Sequence, residues 1–375
     1  MKSTIATKTI GLIALLAGLS FLNDPADAQS SVIYVRPGDS LSQIVSQAPA
    51  GSTIIVPAGE YRDSLTVTQP GIRLIGAGAS ESGTVLSNEG VGAENGINVM
   101  PGADIFELTG FLIKGFHENG VLLTRVRDYR ITNNVTQNNG EYGIFPVFCA
   151  GGIISDNVAI GHTDTGIYVG QSSGATVSHN VAYRNINGIE IENSSDCVVS
   201  ENEVYDNTLG ILVVELPLLE VTTSNRVTVV KNYAHNNNNP GDDRALEIFI
   251  QAIPVGGGIL VVGANDVTIT DNVVLENNSF GIGIARLPVL FDAFDPLIDH
   301  IPDNSRIIGN LALRNGREPD ALRLGEVIPN FPTGANLYWD QTGTGHCFEG
   351  NTVADDVGGA SFPAPDALPP CPPAK

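Results

Sequence analysis

A glycine returns every 22 to 24 residues along the middle of the chain, and a short apolar segment follows it each time. The segments read GINV, GVLL, GIFP, GIYV, GIEI, GILV, GILV and GIGI, and they begin at Gly96, Gly120, Gly143, Gly166, Gly188, Gly210, Gly258 and Gly281. A fixed period of this length indicates one supersecondary unit stacked on copies of itself. Within these segments the apolar residues alternate with period two, and Asn, Gly and Asp flank the segments. This pattern is typical of short strands joined by tight turns. The repeat therefore predicts an all-β fold, a right-handed parallel β-helix with three short strands in each coil.

The same period predicts which side chains point into the solenoid and which point out. In each Gly-Ile-x-Val segment we expect the first and third residues after Gly to point inward, as at Ile167 and Val169. A second register places one asparagine in each coil, at Asn134, Asn157, Asn180, Asn202, Asn232, Asn272 and Asn310. Stacked amides can hydrogen-bond along the axis, so we interpret this column as an inward structural ladder.

Three parts follow one another along the chain. Residues 1–28 contain two lysines, then an apolar stretch, then Ala26-Asp27-Ala28 as a small-x-small cleavage site. This pattern predicts a signal peptide that is cleaved after Ala28, and therefore a periplasmic or extracellular protein. Residues 29–360 are predicted to form about ten or eleven coils, with LSQIVSQA after Ser40 as a short helix that caps the N-terminal end. Residues 361–375 form a Pro-rich tail. No later segment is long and apolar enough for membrane insertion.

Four cysteines would lie in an oxidising compartment. Cys347 and Cys371 stand near the C-terminus, and we expect a disulfide that pins the tail. Cys149 and Cys197 lie two coils apart, so their Cα atoms should be ~9–10 Å apart at ~4.8 Å per coil. We expect these two cysteines to be unpaired and buried.

The chain has 41 acidic and 19 basic residues, a net charge of −22. A field of this sign does not hold nucleic acid or an anionic membrane. An acidic polysaccharide would be repelled as well, unless a local arginine cluster or a bridging cation intervened. Three departures from the period, at 215–226, 235–256 and 286–303, are predicted to be loops that either wall a groove or cover the sheet.

Several segments resemble known families. The opening VRPGDSLSQIVSQAPAGSTIIVPAGEYRDSLTV resembles secreted pectate-lyase-like β-helix proteins and the periplasmic accessory proteins of nitrous oxide reductase. GHTDTGIYVGQSS, NINGIEIENSSD and YDNTLGILVVELP resemble a family of secreted bacterial parallel β-helix repeat proteins without an assigned activity. That resemblance covers most of residues 31–350 and implies a c-type cytochrome-like partner. It implies the fold and no single activity, because lyases, hydrolases, epimerases and non-catalytic proteins share this fold.

One coil differs from the others at its outward positions. Only Glu190 and Glu192 are acidic there, ~7 Å apart on the same face of one strand. Tyr168 and Phe145 lie one and two coils below, and aromatic rings beside carboxylates suit the stacking of a sugar ring. We therefore predict that Phe145, Glu192 and Asp206 bind substrate; the alternative is a solvated face without a role.

A possible acid–base set lies in the preceding turn. Counting back from the next Gly places His162, Arg184 and Asp206 at equivalent positions of successive coils, in a predicted column ~5 Å apart. There His162 could take a proton while Arg184 neutralises a sugar carboxylate. The periplasmic alginate epimerases are similar in kind, although their Asp-Pro-His-Asp motif is Gly-His-Thr-Asp here. The predicted catalytic residues are His162, Arg184, Tyr168, Asp164 and Glu190. The alternative is that His162 and Asp164 only bond the turn backbone.

The carboxylates could also bind a metal. Asp164, Glu190, Glu192 and Asp206 offer the oxygen ligands that Ca²⁺ prefers, and a bound Ca²⁺ would bridge this acidic chain to an acidic glycan. The remaining histidines show no zinc or copper spacing: His117, His179, His235, His300 and His346.

Two classes of function remain open from the sequence. The first is a carbohydrate-active enzyme, a lyase or C5-epimerase that acts on a uronate-containing polysaccharide. A variant is a glycoside hydrolase that uses Glu190 with Asp164 or Asp206 as its carboxylate pair. The second class is a non-catalytic periplasmic accessory or polysaccharide-binding protein with a redox partner.

Overall fold

The computed structural model describes residues 31–241, 253–287, 299–320, 334–354 and 359–373. The predicted signal peptide, 1–28, lies outside the described residues, as do parts of the insertions 235–256 and 286–303.

Short strands follow one another along the chain, with one α-helix near the start. The first part contains β1 (Val32–Tyr34), α1 (Leu41–Gln47), β2 (Thr53–Val56), β3 (Gly59–Arg62), β4 (Leu65–Val67), β5 (Arg73–Gly76), β6 (Thr84–Ser87), β7 (Ile97–Val99), β8 (Glu107–Thr109), β9 (Phe111–Lys114), β10 (Val121–Thr124), β11 (Arg130–Thr132) and β12 (Val135–Gln137). The middle contains β13 (Ile144–Val147), β14 (Ile153–Ser155), β15 (Val158–Ile160), β16 (Thr165–Gly170), β17 (Thr176–Ser178), β18 (Val181–Tyr183), β19 (Asn187–Glu192), β20 (Val198–Ser200), β21 (Glu203–Tyr205), β22 (Leu209–Val214), β23 (Thr228–Val230) and β24 (Tyr233–His235). The last part contains β25 (Gly257–Val262), β26 (Thr268–Thr270), β27 (Val273–Leu275), β28 (Phe280–Ala285), β29 (Arg306–Ile308), β30 (Leu311–Leu313), β31 (Ala335–Trp339), β32 (Cys347–Glu349), β33 (Thr352–Val353) and β34 (Ser361–Phe362), followed by a 3-10 turn over Pro365–Ala367.

These strands form three parallel sheets. Sheet A has 12 strands in the order β1-β2-β5-β8-β11-β14-β17-β20-β23-β26-β29-β32. Sheet B has 11 strands in the order β3-β6-β9-β12-β15-β18-β21-β24-β27-β30-β33, and sheet C has 11 in the order β4-β7-β10-β13-β16-β19-β22-β25-β28-β31-β34. Each coil visits A, B and C in turn and pairs with the coils before and after it. The predicted fold, a right-handed parallel β-helix solenoid with one short helix, is confirmed.

Apolar side chains from all three sheets fill the interior of the solenoid. Ile167 and Val169 of β16 are fully buried, as are Ile189 and Ile191 of β19. The inward positions predicted from the Gly-Ile-x-Val segments are therefore confirmed, and they form the single long core that stacked coils share.

The predicted asparagine ladder lies at the turn between sheets A and B. Asn157 donates through Nδ2 to Oδ1 of Asn180 at 3.0 Å, and Asn180 donates to Asn202 at 3.0 Å. Bonds of the same kind continue through Asn232, Asn272, Asn310 and Asn351. Each buried amide thus satisfies its neighbour and a backbone carbonyl, which removes the cost of burying polar groups.

A second ladder, absent from our sequence analysis, lies at the turn between sheets B and C. Its amides bond from coil to coil at 2.9 to 3.1 Å through Asn185, Asn207, Asn237, Asn277, Asn315 and Asn336. This ladder explains the recurring glycine. A Cβ at Gly188 would lie 2.9 Å from Nδ2 of Asn207 and 2.6 Å from the carbonyl oxygen of Gly210, so no side chain fits there.

Both ends of the solenoid match the sequence expectations. Ser40 caps α1 by accepting the backbone N–H of Gln43 at 3.3 Å, and Leu41 and Val45 bury the helix on the core. At the other end Cys347 and Cys371 form the predicted disulfide. Cys149 and Cys197 are unpaired and buried, as predicted.

Candidate functional site

A cluster of polar side chains lies on the outer face of sheet C, where β16 and β19 are neighbours. Tyr168 pairs in register with Glu190, and Thr165 with Asn187. We call the following residues the carboxyl–tyrosine cluster: Asp164, Thr165, Tyr168, Asn187, Glu190 and Glu192. None of these side chains is more than 7% exposed. In the next coil the positions in register with Glu190 and Glu192 are the apolar Leu212 and Val214.

Glu190 and Asp164 share one hydroxyl group. Oγ1 of Thr165 lies 2.7 Å from Oε2 of Glu190 and 3.1 Å from Oδ1 of Asp164. Those two carboxyl oxygens are therefore at most about 6 Å apart, a limit that admits the ~5–5.5 Å between the carboxyls of glycosidases that retain configuration. Nδ2 of Asn187 donates to Oε2 of Glu190 at 2.9 Å, whereas Oδ1 of Asn187 is buried without a hydrogen-bond partner among the described residues.

Burial raises the pKa of the Glu190 carboxyl above its usual range, and the hydrogen bonds from Thr165 and Asn187 offset that rise only in part. A protonated Glu190 can donate to Oγ1 of Thr165 while Thr165 donates to Asp164. The three groups then form a path along which a proton can move between the two carboxyls.

Glu192 has a different partner. The phenol of Tyr168 donates to Oε1 of Glu192 in a short hydrogen bond. Burial, followed by the nearby charge of Glu192, raises the pKa of Tyr168 well above its usual value. Tyr168 therefore stays protonated at neutral pH and acts as a donor to Glu192.

Aromatic rings form the more open edge of the cluster. Phe145 stacks on Tyr168 with ring centroids 4.5 Å apart, and Tyr142 lies 4.7 Å from each of them. Phe145 and Tyr142 are both partly exposed. A Cβ at Gly170 would approach the Tyr168 ring to 3.0 Å, so the glycine makes room for that ring. The strip predicted from Phe145 and Tyr168 is present and includes Tyr142 as well.

His162 does not lie where the sequence predicted it. Its register partner is Asn185, so it occupies a position in the second ladder and is 2% exposed. Nδ1 accepts the backbone N–H of Asn139 at 3.2 Å, and Nε2 lies 3.1 Å from Oγ1 of Thr136. Burial lowers the pKa of His162 to about 4. Both nitrogens are engaged inside the solenoid, which argues against His162 as a base acting on substrate.

Arg184 and Asp206 stack as predicted, but His162 does not join their column. Nε of Arg184 donates to Oδ2 of Asp206 at 3.1 Å, and both side chains are exposed beside sheet B. The residue in register with Arg184 is Gly161, one before His162. The cause is the turn between sheets B and C, which is one residue longer in the His162 coil than in the next. Our count back from the recurring glycine included that extra residue, so it matched His162 with Arg184 where the structure has Gly161.

The predicted Ca²⁺ ligands are not brought together as a set. Asp206 pairs with Arg184 beside sheet B, whereas Glu190 and Glu192 lie on the outer face of sheet C. Among the described residues, no three His, Cys, Asp or Glu side chains converge in a way that could hold a metal ion.

The insertions border the outer face of sheet C. In 215–226, the carbonyl oxygens of Leu216 and Val221 accept from Nδ2 of Asn193 at 2.9 and 2.6 Å. Further along, Glu220 pairs with Arg125 at 3.0 Å, so this insertion runs beside the ends of the sheet C strands. Ile253 and Leu287 lie at the described ends of the other two insertions. Together with Leu216 they pack with apolar side chains of sheet C in the coils after the cluster, such as Leu212 and Leu260. The described parts of the insertions therefore contact these apolar side chains, and 215–226 also borders sheet C.

Thr165, Asn187 and Tyr142 were missed in the sequence analysis. Each stands directly before a recurring glycine, at a position that points outward. The three coils that follow Asn187 place Leu209, Gly257 and Phe280 there. A polar residue at that position in two successive coils was the available signal.

The chain is similar in fold to carbohydrate-active enzymes of known structure. These are the mannuronan C-5 epimerase AlgE6 A-module of Azotobacter vinelandii (16% identity, TM-score 0.59, 89% of this chain and 94% of that one) and an alginate lyase of Paenibacillus sp. str. FPU-7 (16%, 0.55, 84% and 99%). A DFA-IIIase of Arthrobacter chlorophenolicus A6 gives 15% identity and a TM-score of 0.53 over 81% of this chain and 79% of that one. At such identities the similarity shows the fold alone.

No curated protein sequence is significantly similar to this chain. No helix among the described residues has the length and apolar character to span a bilayer. A family model described as "Periplasmic copper-binding protein (NosD)" matches residues 49–248, more than half of the 375 residues. The chain therefore belongs to the NosD family.

Proposed function

We propose that this protein acts on a polysaccharide at the outer face of sheet C, with Glu190 as the proton donor. The observation that carries the proposal is the hydroxyl of Thr165, which lies within hydrogen-bonding distance of both Glu190 and Asp164. A buried carboxyl with a raised pKa, a second carboxyl that shares its hydroxyl partner and aromatic rings beside them are the parts that glycoside hydrolysis requires.

The chemistry follows from the two carboxyls. Glu190 would give its proton to the glycosidic oxygen as the bond to the anomeric carbon breaks, while the carboxylate of Asp164 forms an ester with that carbon. Glu190 would then take a proton from the water that hydrolyses the ester. Phe145 and Tyr142 would hold the sugar ring, and the unpartnered Oδ1 of Asn187 would accept from a sugar hydroxyl.

Uronate elimination or C5 epimerisation, the reactions that the sequence favours, would need different residues from those we predicted. His162 is occupied inside the solenoid, and Arg184 is paired with Asp206. Asp164 would have to take the C5 proton, and protonated Glu190 would have to give its proton, to the leaving glycosidic oxygen in elimination or to the other face of C5 in epimerisation. With this assignment, a lyase or an epimerase would use the same carboxyl–tyrosine cluster as a hydrolase.

A non-catalytic accessory role is the second candidate. Membership of the NosD family and the burial of the cluster favour it, since carboxyls no more than 7% exposed are poorly accessible to a polymer. The c-type cytochrome-like partner implied by the sequence resemblance would belong to this role.

The copper named in the family description does not fit the donors of this chain. All six histidines and all four cysteines lie in the described residues. Cys347 and Cys371 are bonded to each other, and burial raises the pKa of Cys149 and of Cys197 to about 11, so both thiols stay protonated. Among the histidines, Nδ1 of His346 accepts the backbone N–H of Ser305, while His162, His179 and His235 have protein partners as well. Copper therefore has no part in the proposed reaction.

The test is incubation of the purified mature protein with neutral glucans, mannans, alginate and polygalacturonate, each with Ca²⁺ or EDTA. Reducing ends measure hydrolysis, absorbance near 235 nm measures elimination, and proton NMR in D₂O measures epimerisation. Turnover by any of these readouts supports the proposal and names the reaction. No change in all of them, from protein with a cooperative unfolding transition, supports the accessory role.

A further inference from the structure

A row of aromatic side chains lies on the outer face of sheet B, away from the carboxyl–tyrosine cluster. Tyr183, Tyr205 and His235 occupy equivalent positions of β18, β21 and β24. Their ring centroids are 4.9 and 5.3 Å apart, and the planes are inclined by only 6° and 15°. Tyr233 lies 3.9 Å from the His235 ring and is 38% exposed. We call these four residues the aromatic row.

The rings present their edges to solvent, because their faces stack on one another. Tyr183 and Tyr205 therefore each offer a phenol on the ring edge, whereas Nδ1 of His235 lies 3.1 Å from Oδ1 of Asn236 and has a protein partner. The imidazole Nε2 lies 3.1 Å from Oε1 of Glu203, whose side chain is 45% exposed. The result is a row of phenol groups on an apolar base, and binding sites commonly combine apolar surface with a few placed polar groups.

A second series of polar side chains runs beside the aromatic row. These residues come directly after the ring positions and after the two coils that follow: Arg184, Asp206, Asn236, Glu276 and Arg314. Arg184 pairs with Asp206, and Arg314 pairs with Glu276 at 2.8 Å. All five have positive φ, between 50° and 60°, which turns their side chains out at the edge of the sheet.

The charges of the polar series balance, and Glu203 beside His235 adds one carboxylate to this surface, far less than the negative charge of the whole chain. Two arginines face two carboxylates along the polar series, whereas the protein carries a net charge of −22. A second copy of the chain would bring the same large negative charge, so self-association through this face is disfavoured. A polyanion would meet arginines that are already paired.

We infer that the aromatic row and its polar series bind an uncharged polysaccharide that runs along the solenoid axis. The ring spacing is roughly the advance of one pyranose unit in an extended glycan, so each coil contacts one sugar. This inference takes its ligand class from the proposed function, and it assigns Arg184 and Asp206 to binding and not to catalysis. Sheet B would hold the polymer while sheet C acts on a neighbouring stretch or chain.

Affinity electrophoresis in native gels tests this inference, with barley β-glucan, galactomannan or pullulan in the gel and polygalacturonate as the anionic comparison. We expect a neutral glycan to retard the wild-type protein. The double variant Tyr183→Ala/Tyr205→Ala should bind at least about tenfold more weakly, a loss of about 1.4 kcal/mol. Thr228→Ala, outward on sheet A in the coil of His235, is the matched control and should bind like wild type.

Three results would overturn the inference: no retardation by any neutral glycan, equal retardation of the double variant, or retardation by polygalacturonate alone. Failure of the proposed function is distinguishable. If Glu190→Gln and wild type are equally inactive yet retardation depends on the tyrosines, the binding surface stands without the catalytic site. If short oligosaccharides are turned over while retardation ignores the tyrosines, only the binding surface fails.

Discussion

Nδ1 of His162 accepts the backbone N–H of Asn139 at 3.2 Å, and the backbone N–H of His162 donates to Oδ1 of Asn185 at 3.0 Å. The imidazole therefore occupies the place that an asparagine side chain fills in the following coils of the second ladder. A histidine can do so because its neutral ring offers one acceptor and one donor, and Nε2 uses the donor toward Thr136. Protonation at Nδ1 would break the bond to Asn139.

We predict that His162 makes the fold sensitive to acid. Burial lowers its pKa from 6.5 to about 4, so its contribution to stability is complete above pH 6.5 and is lost as pH falls toward 4. His162→Asn should remove up to about 3 kcal/mol of that loss. Urea unfolding at pH 7 and pH 4 measures it. Parallel changes in wild type and variant would show that His162 does not titrate with folding.

Glu215 should make the fold less stable as the pH rises, in contrast to His162. It is 2% exposed, and burial raises its pKa to about 7 although the backbone N–H of Ser224 donates to it. A raised carboxyl pKa gives stability that is complete below pH 4.5 and is lost as pH rises through 7. Glu215→Gln should remove up to about 3 kcal/mol of the loss between pH 5 and pH 8. Glu220→Gln, exposed in the same insertion, should leave the wild-type pH dependence intact.

The second asparagine ladder should be a principal source of stability. Nδ2 of Asn207 donates to Oδ1 of Asn237 at 2.9 Å and to the carbonyl oxygen of Ala182 at 3.0 Å. Asn207→Ala leaves buried groups without partners in two coils, and we expect it to lower the free energy of unfolding by about 2–4 kcal/mol. Gln137→Ala, outward on sheet B, should change it by less than about 0.5 kcal/mol. Comparable losses in both variants would contradict a special role for the ladder.

Copper should bind weakly or not at all. The thiols and imidazoles of the chain are bonded, buried or too dispersed to form a group of three ligands. Titration of the metal-free mature protein with Cu²⁺, and with Cu⁺ under reducing conditions, should give no stoichiometric site of submicromolar affinity. A tight site of defined stoichiometry would show that the family description extends to this chain.

The fold was predictable because every coil repeats the same physical requirements. Ile167 and Ile189 must both be apolar, and Asn157 and Asn180 must both be amides, so the structural repeat is visible as a repeat in the sequence. The disulfide between Cys347 and Cys371 followed from their nearness in the chain and the expected compartment.

The candidate site was predictable only where strands fix the register. Tyr168, Glu190 and Glu192 lie on strands, and their shared outer face was predicted correctly. His162 lies in a turn whose length changes by one residue, and such a change moves a side chain from the surface to the core. The second ladder was missed because positions were counted back from the next glycine, a distance that varies. Counted forward, Asn185, Asn207 and Asn237 each stand five residues after an asparagine of the first ladder.

The most direct test of the central claim compares wild type with Glu190→Gln on whichever polysaccharide gives turnover. Glutamine keeps the shape and the contact with Thr165 but cannot give a proton. The matched control is Glu107→Gln on sheet A, where Glu107 pairs with Arg73. We expect Glu190→Gln to lower kcat by 10²-fold or more, as general-acid catalysis of about 10²–10⁴-fold requires, and Glu107→Gln to match wild type. Wild-type turnover by Glu190→Gln would contradict the assignment of Glu190 as the proton donor.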